Sequence, residues 1–404
     1  MKILFLSLDS FDTYETDNMY SDLLREAISR GHEVFSVVPS NKGGKSELVE
    51  SMGSKILKLY TGQVTGNSSF IKKGINTLRL GGRYKRAVKK YCKGEKFDLI
   101  LYATPPITIY KAIKYAKKRT GAKTYLLLKD IFPQNAVDLG ILKKRGLKGI
   151  IARYFRSVEK KYYLISDRIG CMSRRNVEYL LEHNPALDAD KVCVNPNTMD
   201  TSRVNDVHAD SAGVREKYSI PQDARIFIYG GNLGRPQDVP FIAECLKANA
   251  DKPDRFFIIS GKGGDYGVLK AYFDEYKPTN MALINGLPKS EYNELVSACD
   301  VGLIFLDHRF TIPNYPSRLL SYMQYGLPVI SCTDESTDVG DDVVRGGFGW
   351  KCYSDDVAGF TAAVDAAVTA ELAEMKQNSV LKLIEWFSAK DSMDEILSFA
   401  EGKL

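Results

Sequence analysis

No run of roughly 18 apolar residues occurs in the 404-residue chain, which leaves it without a sequence-visible membrane-spanning helix. The seven cysteines (92, 171, 193, 245, 299, 332 and 352) are odd in number, scattered, and contain no C-x-x-C. That pattern argues against a disulfide framework and against zinc. It points to reduced, mostly buried thiols in a cytoplasmic protein. Histidine is scarce, with four residues and no H-E-x-x-H, so no metal is expected. The first strand-to-helix turn lacks G-x-G-x-x-G, which weakens the case for an NAD domain. There is no repeat of solenoid period and no low-complexity tract. The opening MKILFLSLDSFD has one lysine and no small-residue cleavage site, so it reads as a first strand rather than a signal peptide.

What is present fits a soluble two-domain protein, with 44% hydrophobic and 26% charged residues. The net charge of +6 conceals an asymmetry. Residues 1–200 hold 36 Lys and Arg against 20 Asp and Glu, and the remainder 20 against 30. Within 51–161 the ratio is 27 to 5. One half therefore suits an anionic partner.

In chain order, residues 2–8 read as a strand, followed by an acidic loop with Asp9 and Asp12. Tyr20–Ser29 has helical periodicity and EVFSVVP is a second strand, the opening of a parallel sheet. Residues 40–70, with Gly43, Gly44, Gly62 and Gly66, read as loop. The following segment places Ile71, Ile75, Leu78 and Leu80 among Lys72, Lys73, Arg79, Arg83, Lys85, Arg86, Lys89 and Lys90. Further basic clusters occupy Lys111–Arg119, Lys143–Lys148 and Arg153–Lys161. A solvated helix face and attraction to an anionic membrane surface both account for these charges, and the recurrence of the clusters favours the membrane. Nucleic acid is disfavoured, because no recognition motif accompanies the charge. FDLILYATPP and TYLLLKDIFPQ are continuous apolar runs, suited to strands covered on both faces. Asp130 falls just past a strand's carboxyl end, where it could act as a base, orient a hydroxyl, or cap a turn.

Residues 201–218 are polar and read as a linker. A second sheet begins with RIFIYGGNLGRPQDV, where Gly230, Gly231, Asn232 and Gly234 let backbone approach an anion and Arg235 supplies charge. RFFIIS leads into Gly261-Lys262-Gly263. After VGLIFL, Pro316 and Ser317 open a short helix, with Arg318 beside them. A phosphate site and a plain helix cap are equally open readings of that stretch alone. Three such strand ends in one half argue for a phosphorylated ligand at the sheet's carboxyl edge. After Gly346-Gly347 come FGWKCYSDD, two helices, and a final helix running through Ile384, Trp386 and Phe387 to Leu397.

In order, FDLILYATPP, DIFPQNAVDLG, YGGNLGRPQDV, ISGKGG, NGLPKSEYNELVSACDVGLIFL and PSRLLSYMQYGLPVISCTD resemble segments of glycosyltransferase family 4 over nearly the whole chain. GGNLGR and DIFPQ resemble its bacterial surface-polysaccharide, N-acetylfucosaminyltransferase-like branch. The resemblance implies a GT-B α/β fold: two Rossmann-like domains whose parallel sheets face a central cleft. The domains would be 1–200 for the acceptor and 201–385 for the donor, with a helix at 386–404 crossing back.

It also implies retaining, metal-independent transfer of an N-acetylated sugar from a nucleotide diphosphate, UDP first, to a polyprenyl-diphosphate-linked or polysaccharide-precursor acceptor. The location would be peripheral, on the cytoplasmic face of the membrane. Gly230, Gly231, Asn232, Gly234 and Arg235 would hold the diphosphate, joined by Ser317 and Arg318 after Pro316. Gly261, Lys262 and Gly263 would lie beside the nucleotide, and Leu287 would offer backbone to the base. Asp130, as the catalytic candidate, would face acceptor or sugar, as would Asp9 and Asp12. Two family glutamates are replaced by Pro313 and Ser321, leaving Ser321 for the ribose and Asn314 for the sugar. That loss keeps two alternatives open, a nucleotide-sugar 2-epimerase and an inactive sugar-nucleotide-binding partner.

Overall fold

The computed structural model describes residues 1–40, 44–62, 70–143, 145–204 and 211–404, with backbone alone over 70–78. Gly43, Gly66, Lys144 and the centre of the 201–218 segment lie outside the described residues, as do the side chains of Ile71, Lys72, Lys73, Ile75 and Leu78. The chain divides into two compact units, Met1–Asp200 with Ser388–Leu404, and Thr201–Phe387.

Unit 1 runs β1 (Lys2–Leu6), α1 (Met19–Ser29), β2 (Glu33–Pro39), β3 (Glu47–Ser51), β4 (Ser54–Leu59), α2 (Phe70–Tyr91), β5 (Leu99–Ala103) and α3 (Tyr110–Thr120). It continues β6 (Lys123–Leu128), α4 (Gln134–Asp138), α5 (Gly146–Ile165), β7 (Arg168–Cys171), α6 (Arg174–His183) and β8 (Val192–Val194). The sheet order is β3-β4-β2-β1-β5-β6-β7-β8. Its central strands are apolar on both faces, because crossover helices cover both sides.

The 40–70 region is not all loop. Antiparallel β3 and β4 add an edge hairpin, turned at Met52-Gly53, where both residues have positive φ (50° and 70°). Basic segment 70–91 is one helix in spite of its glycines. The ideal Cβ position on Gly81 lies 2.2 Å from the Thr108 carbonyl oxygen, so this glycine serves close packing, not a break.

Unit 2 runs α7 (Ser211–Lys217), β9 (Arg225–Asn232), α8 (Val239–Ala248), β10 (Arg255–Lys262), α9 (Tyr266–Tyr276), β11 (Met281–Ile284), α10 (Lys289–Ser297) and β12 (Val301–Phe305). Then follow α11 (Arg318–Gln324), β13 (Val329–Thr333), α12 (Val339–Arg345), β14 (Gly349–Tyr353), α13 (Val357–Thr369) and α14 (Ala373–Trp386). Its sheet is parallel, in the order β11-β10-β9-β12-β13-β14. Strand order reverses at β9, so a crevice opens between the ends of β9 and β12. The segment taken as a linker contains the helix α7.

The last helix of the sequence reading is two. α14 ends at Trp386, buried Phe387 intervenes, and the Ser388 side chain accepts from the Asp391 N–H to start α15 (Ala389–Glu401). Met393, Ile396, Leu397 and Phe399 of α15 join Tyr20, Leu23, Leu24 and Ala27 in the unit 1 core. All seven cysteines are free thiols, and six are buried.

Candidate nucleotide-sugar site

At the carboxyl edge of the unit 2 sheet, β9 and β10 run in register, with Gly231 opposite Gly261 and Asn232 opposite Lys262. This pairing brings two of the glycine segments side by side. A cavity of about 540 Å³ opens over them. Gly230, Gly231 and Asn232 form one wall, and Ser260, Gly261 and Lys262 the next. Gly286, Leu287, Lys289 and Tyr292 come from the β11–α10 junction, and Ser317, Arg318 and Ser321 from the start of α11.

The glycines are sterically required. A Cβ on Gly261 would lie 2.2 Å from the Gly231 carbonyl oxygen, and one on Gly230 would lie 2.0 Å from the Tyr292 hydroxyl. Gly231 has φ +127°, and its Cβ would meet the Arg318 Nη2 at 1.8 Å. Arg318 thus occupies the space that Gly231 leaves. Its guanidinium carbon sits 4.4 Å from the centroid of the Tyr229 ring. Tyr322 fixes the floor, its hydroxyl 3.1 Å from the Ile228 and Leu303 carbonyls while accepting from the Gly230 N–H.

Electrostatically the cavity is one-signed. Arg318, Lys262 and Lys289 line it, and no carboxylate does. Arg318 makes no ion pair among the described residues. Burial opposes its charge, yet the surrounding Tyr229, Tyr322 and Tyr292 hold its pKa above the ordinary arginine value. A cation stacked on an aromatic ring beside exposed peptide edges can receive a bidentate oxyanion. The Tyr292 hydroxyl is buried in the same wall, beside Arg318 and Tyr322. α11 spans only seven residues, and the Ser317 side chain does not cap it. Positive charge here comes from side chains more than from a helix dipole.

The remaining sequence candidates lie elsewhere. Exposed Arg235 begins the single turn Arg235–Gln237 and is not in the cavity wall, nor are Gly234, Gly263, Asn314 and Pro316. Gly263 packs on the Leu233 backbone. The Asn314 carbonyl accepts from the Thr337 hydroxyl. Beyond that turn, Asp238, Asp307 and His308 place ligand-type atoms within 4.8 Å of one another, but Asp307 is already gripped by Arg309 through Nε (2.8 Å) and Nη2. Ser260, Gly286, Lys289 and Tyr292 escaped the sequence reading. The Gly-Leu-Pro-Lys after β11 was the available signal, whereas Tyr292 looks like any apolar position of a helix.

Asp130 belongs to unit 1. Its carboxylate accepts twice from Asn135 Nδ2, at 2.8 and 2.9 Å, and its backbone N–H reaches Thr104 Oγ1 at 3.1 Å. Burial raises its pKa from 3.8 to about 6, so it exchanges a proton near neutrality. The adjacent Lys129 ammonium donates to the carbonyls of Asn195 (2.9 Å) and Pro196 (2.7 Å), and burial lowers its pKa to about 7. Asp9 and Asp12 are exposed, bonded to Asn18 (3.2 Å) and Lys58 (2.6 Å) respectively.

Residues 18–203 match the family model for Glycosyltransferase Family 4. The chain is 24% identical over 291 residues to WbjE of Pseudomonas aeruginosa, a probable glycosyltransferase, covering 72% of this chain and 70% of that protein. It is 24% identical over 249 residues to WcaI of Escherichia coli K12, assigned as a colanic acid biosynthesis glycosyl transferase, covering 61% of this chain and 60% of WcaI's length. Among solved structures, Anabaena HepE in complex with UDP and glucose superimposes with a TM-score of 0.70 at 13% identity, over 100% of both chains. The E. coli trehalose-6-phosphate structure with UDP-2-fluoro glucose gives 0.73 at 10% identity, over 99% of both. Likeness at these identities concerns the fold.

Proposed function

We propose that the chain is a family 4 glycosyltransferase of GT-B fold whose unit 2 cavity holds the diphosphate of a nucleotide-sugar donor, UDP first. The observation that carries this reading is Arg318, stacked on Tyr229 with no carboxylate partner among the described residues and flanked by Lys262 and Lys289. Such a constellation suits a ligand with at least two negative charges. HepE and the trehalose-6-phosphate structure, both with uridine nucleotides, support the choice of UDP.

The glycine edges of β9 and β10 would let phosphate oxygens reach backbone N–H groups. Leu287 would meet the base and Ser321 a ribose hydroxyl. When the sugar's anomeric carbon leaves the β-phosphate, charge grows on the departing oxygen. Arg318 and the two lysines would stabilise that charge in place of a metal ion.

The transferred sugar would be an N-acetylhexosyl group, moved with retention to a polyprenyl-diphosphate-linked acceptor; WcaI's assignment to colanic acid biosynthesis supports a polysaccharide product. Asp130 would contact acceptor or sugar. The basic 51–161 region would bring the protein to an anionic membrane surface. No helix among the described residues is long and apolar enough to cross a membrane.

Titration with UDP, GDP and their sugars tests the donor site. UDP at about a hundred times its Kd should add about 2.7 kcal/mol of stability. Arg318→Met should weaken UDP roughly tenfold to a hundredfold, as expected for a lost charge-assisted contact. UDP binding that survives Arg318→Met unchanged would remove the proposal.

A further inference from the structure

Helix α5 has two apolar faces, and unit 1 covers only one. Phe155 and Tyr162 pack inward, edge-on against Phe132 and Tyr102. On another side Leu147 is 82% exposed, Ile150 55%, Ile151 46% and Tyr154 51%. Their spacing of i, i+3, i+4 and i+7 aligns them in one stripe. Single exposed apolar residues are ordinary, but four on one helical stripe form a contact surface.

The charges beside the stripe have one sign. Lys148, Arg153, Lys160 and Lys161 are exposed. The helix's one carboxylate, Glu159, is buried, 3.3 Å from Arg156 Nη1 and accepting from the Tyr163 hydroxyl at 3.0 Å. The exposed surface of α5 is therefore apolar and cationic, with no acid.

We propose that α5 lies in the headgroup region of an anionic bilayer, with Leu147, Ile150, Ile151 and Tyr154 entering the acyl boundary and the lysines and Arg153 meeting lipid phosphates. This rests on the membrane part of the function proposed above and names the element responsible. Apolar burial and lipid charge act together on such a helix, and a tyrosine suits the boundary between the two. Charge complementarity selects the lipid over a second copy of the chain, since a two-fold contact through this face would set cation against cation.

The test uses the full chain with vesicles of phosphatidylglycerol and phosphatidylethanolamine, and with phosphatidylcholine alone. Co-flotation is expected with the first and not the second. The Tyr154→Trp variant should show a blue shift over the wild-type spectrum on anionic vesicles, and quenching by lipids brominated on the acyl chain. Ile150→Glu combined with Ile151→Glu should reduce partitioning at least about tenfold while UDP stabilisation is kept. If the double variant floats as the wild type does and the Tyr154→Trp emission stays fixed, the α5 assignment is wrong while membrane binding stands. If the wild type itself never floats, membrane association fails altogether. A wild-type dimer lost in the double variant would give the face to a second copy instead.

Discussion

Gly231 sets how closely Arg318 can approach the ligand edge of the second sheet. At φ +127° any other residue is strained, and its Cβ would meet the Arg318 guanidinium. Because that guanidinium is the far end of a flexible side chain, Gly231→Ala should fold yet push Arg318 off Tyr229, with UDP affinity falling at least about tenfold by calorimetry. Gly261→Ala should behave differently. Its clash is with the Gly231 carbonyl oxygen at 2.2 Å, which no rotamer relieves, so a lowered melting temperature should accompany any loss of binding. Sequence marked both glycines as places where an anion could come near. Whether Arg235 or Arg318 reaches the cavity could not be read there, because the packing of Arg318 on Tyr229 exists only once β9 and α11 are assembled. In unit 1, Asp130 is a carboxyl whose folded pKa is raised, to about 6. The native state therefore binds its proton more tightly than the unfolded chain, and stability is lost as pH rises from about 4 through about 6. Asp130→Asn should remove that loss, gaining up to about 3 kcal/mol at pH 8 and little at pH 4 in paired melts. A contribution of Asp130 to transfer would appear as activity lost in that stabilised variant.

At the scale of elements, the strands readable in advance were those buried on both faces, since LILYA and TYLLL leave no other role for their side chains. The β3–β4 hairpin stayed hidden because it sits at the edge. Glu47, Leu48 and Glu50 are exposed, and Met-Gly is an unusual pair for a turn needing positive φ twice. That mismatch carries a consequence. Met52 is 40% exposed, so Met52→Asn loses little burial and should stabilise unit 1 by about 1 kcal/mol. Unchanged or lowered stability in denaturant titration would contradict this account of the turn. The basic helix α2 was legible despite its glycines, and what the sequence could not show is that Gly81 permits close packing under Thr108. The division at Phe387 was also invisible, because neither glycine nor proline falls between Ile384 and Leu397. What interrupts the helix is the Ser388 cap, with its side chain on the Asp391 N–H at 3.3 Å.

For the molecule as a whole, that interruption matters because α15 completes a core begun almost four hundred residues earlier. Met393, Ile396, Leu397 and Phe399 are buried with Tyr20, Leu23 and Leu24 of α1. Four such side chains contribute roughly 6–12 kcal/mol of apolar burial, at 1.5–3 kcal/mol each, which is comparable to the whole stability of a domain. Polar ties add to this: Glu395 lies 3.0 Å from Arg168 Nε and accepts from the Tyr125 hydroxyl, Asp394 pairs with Arg30 at 2.5 Å, and Ser392 donates to Asn195. Unit 2, by contrast, takes none of its core cluster from α15. Removing residues 388–404 should therefore unfold unit 1 selectively. Limited proteolysis should degrade residues 1–200 while a fragment near 201–387 persists, and UDP should still raise the melting temperature of what remains. Survival of residues 1–200 under the same digestion would show that the sheet built on β1 and β5 stands without its last helix, and that the burial assigned to α15 is overstated.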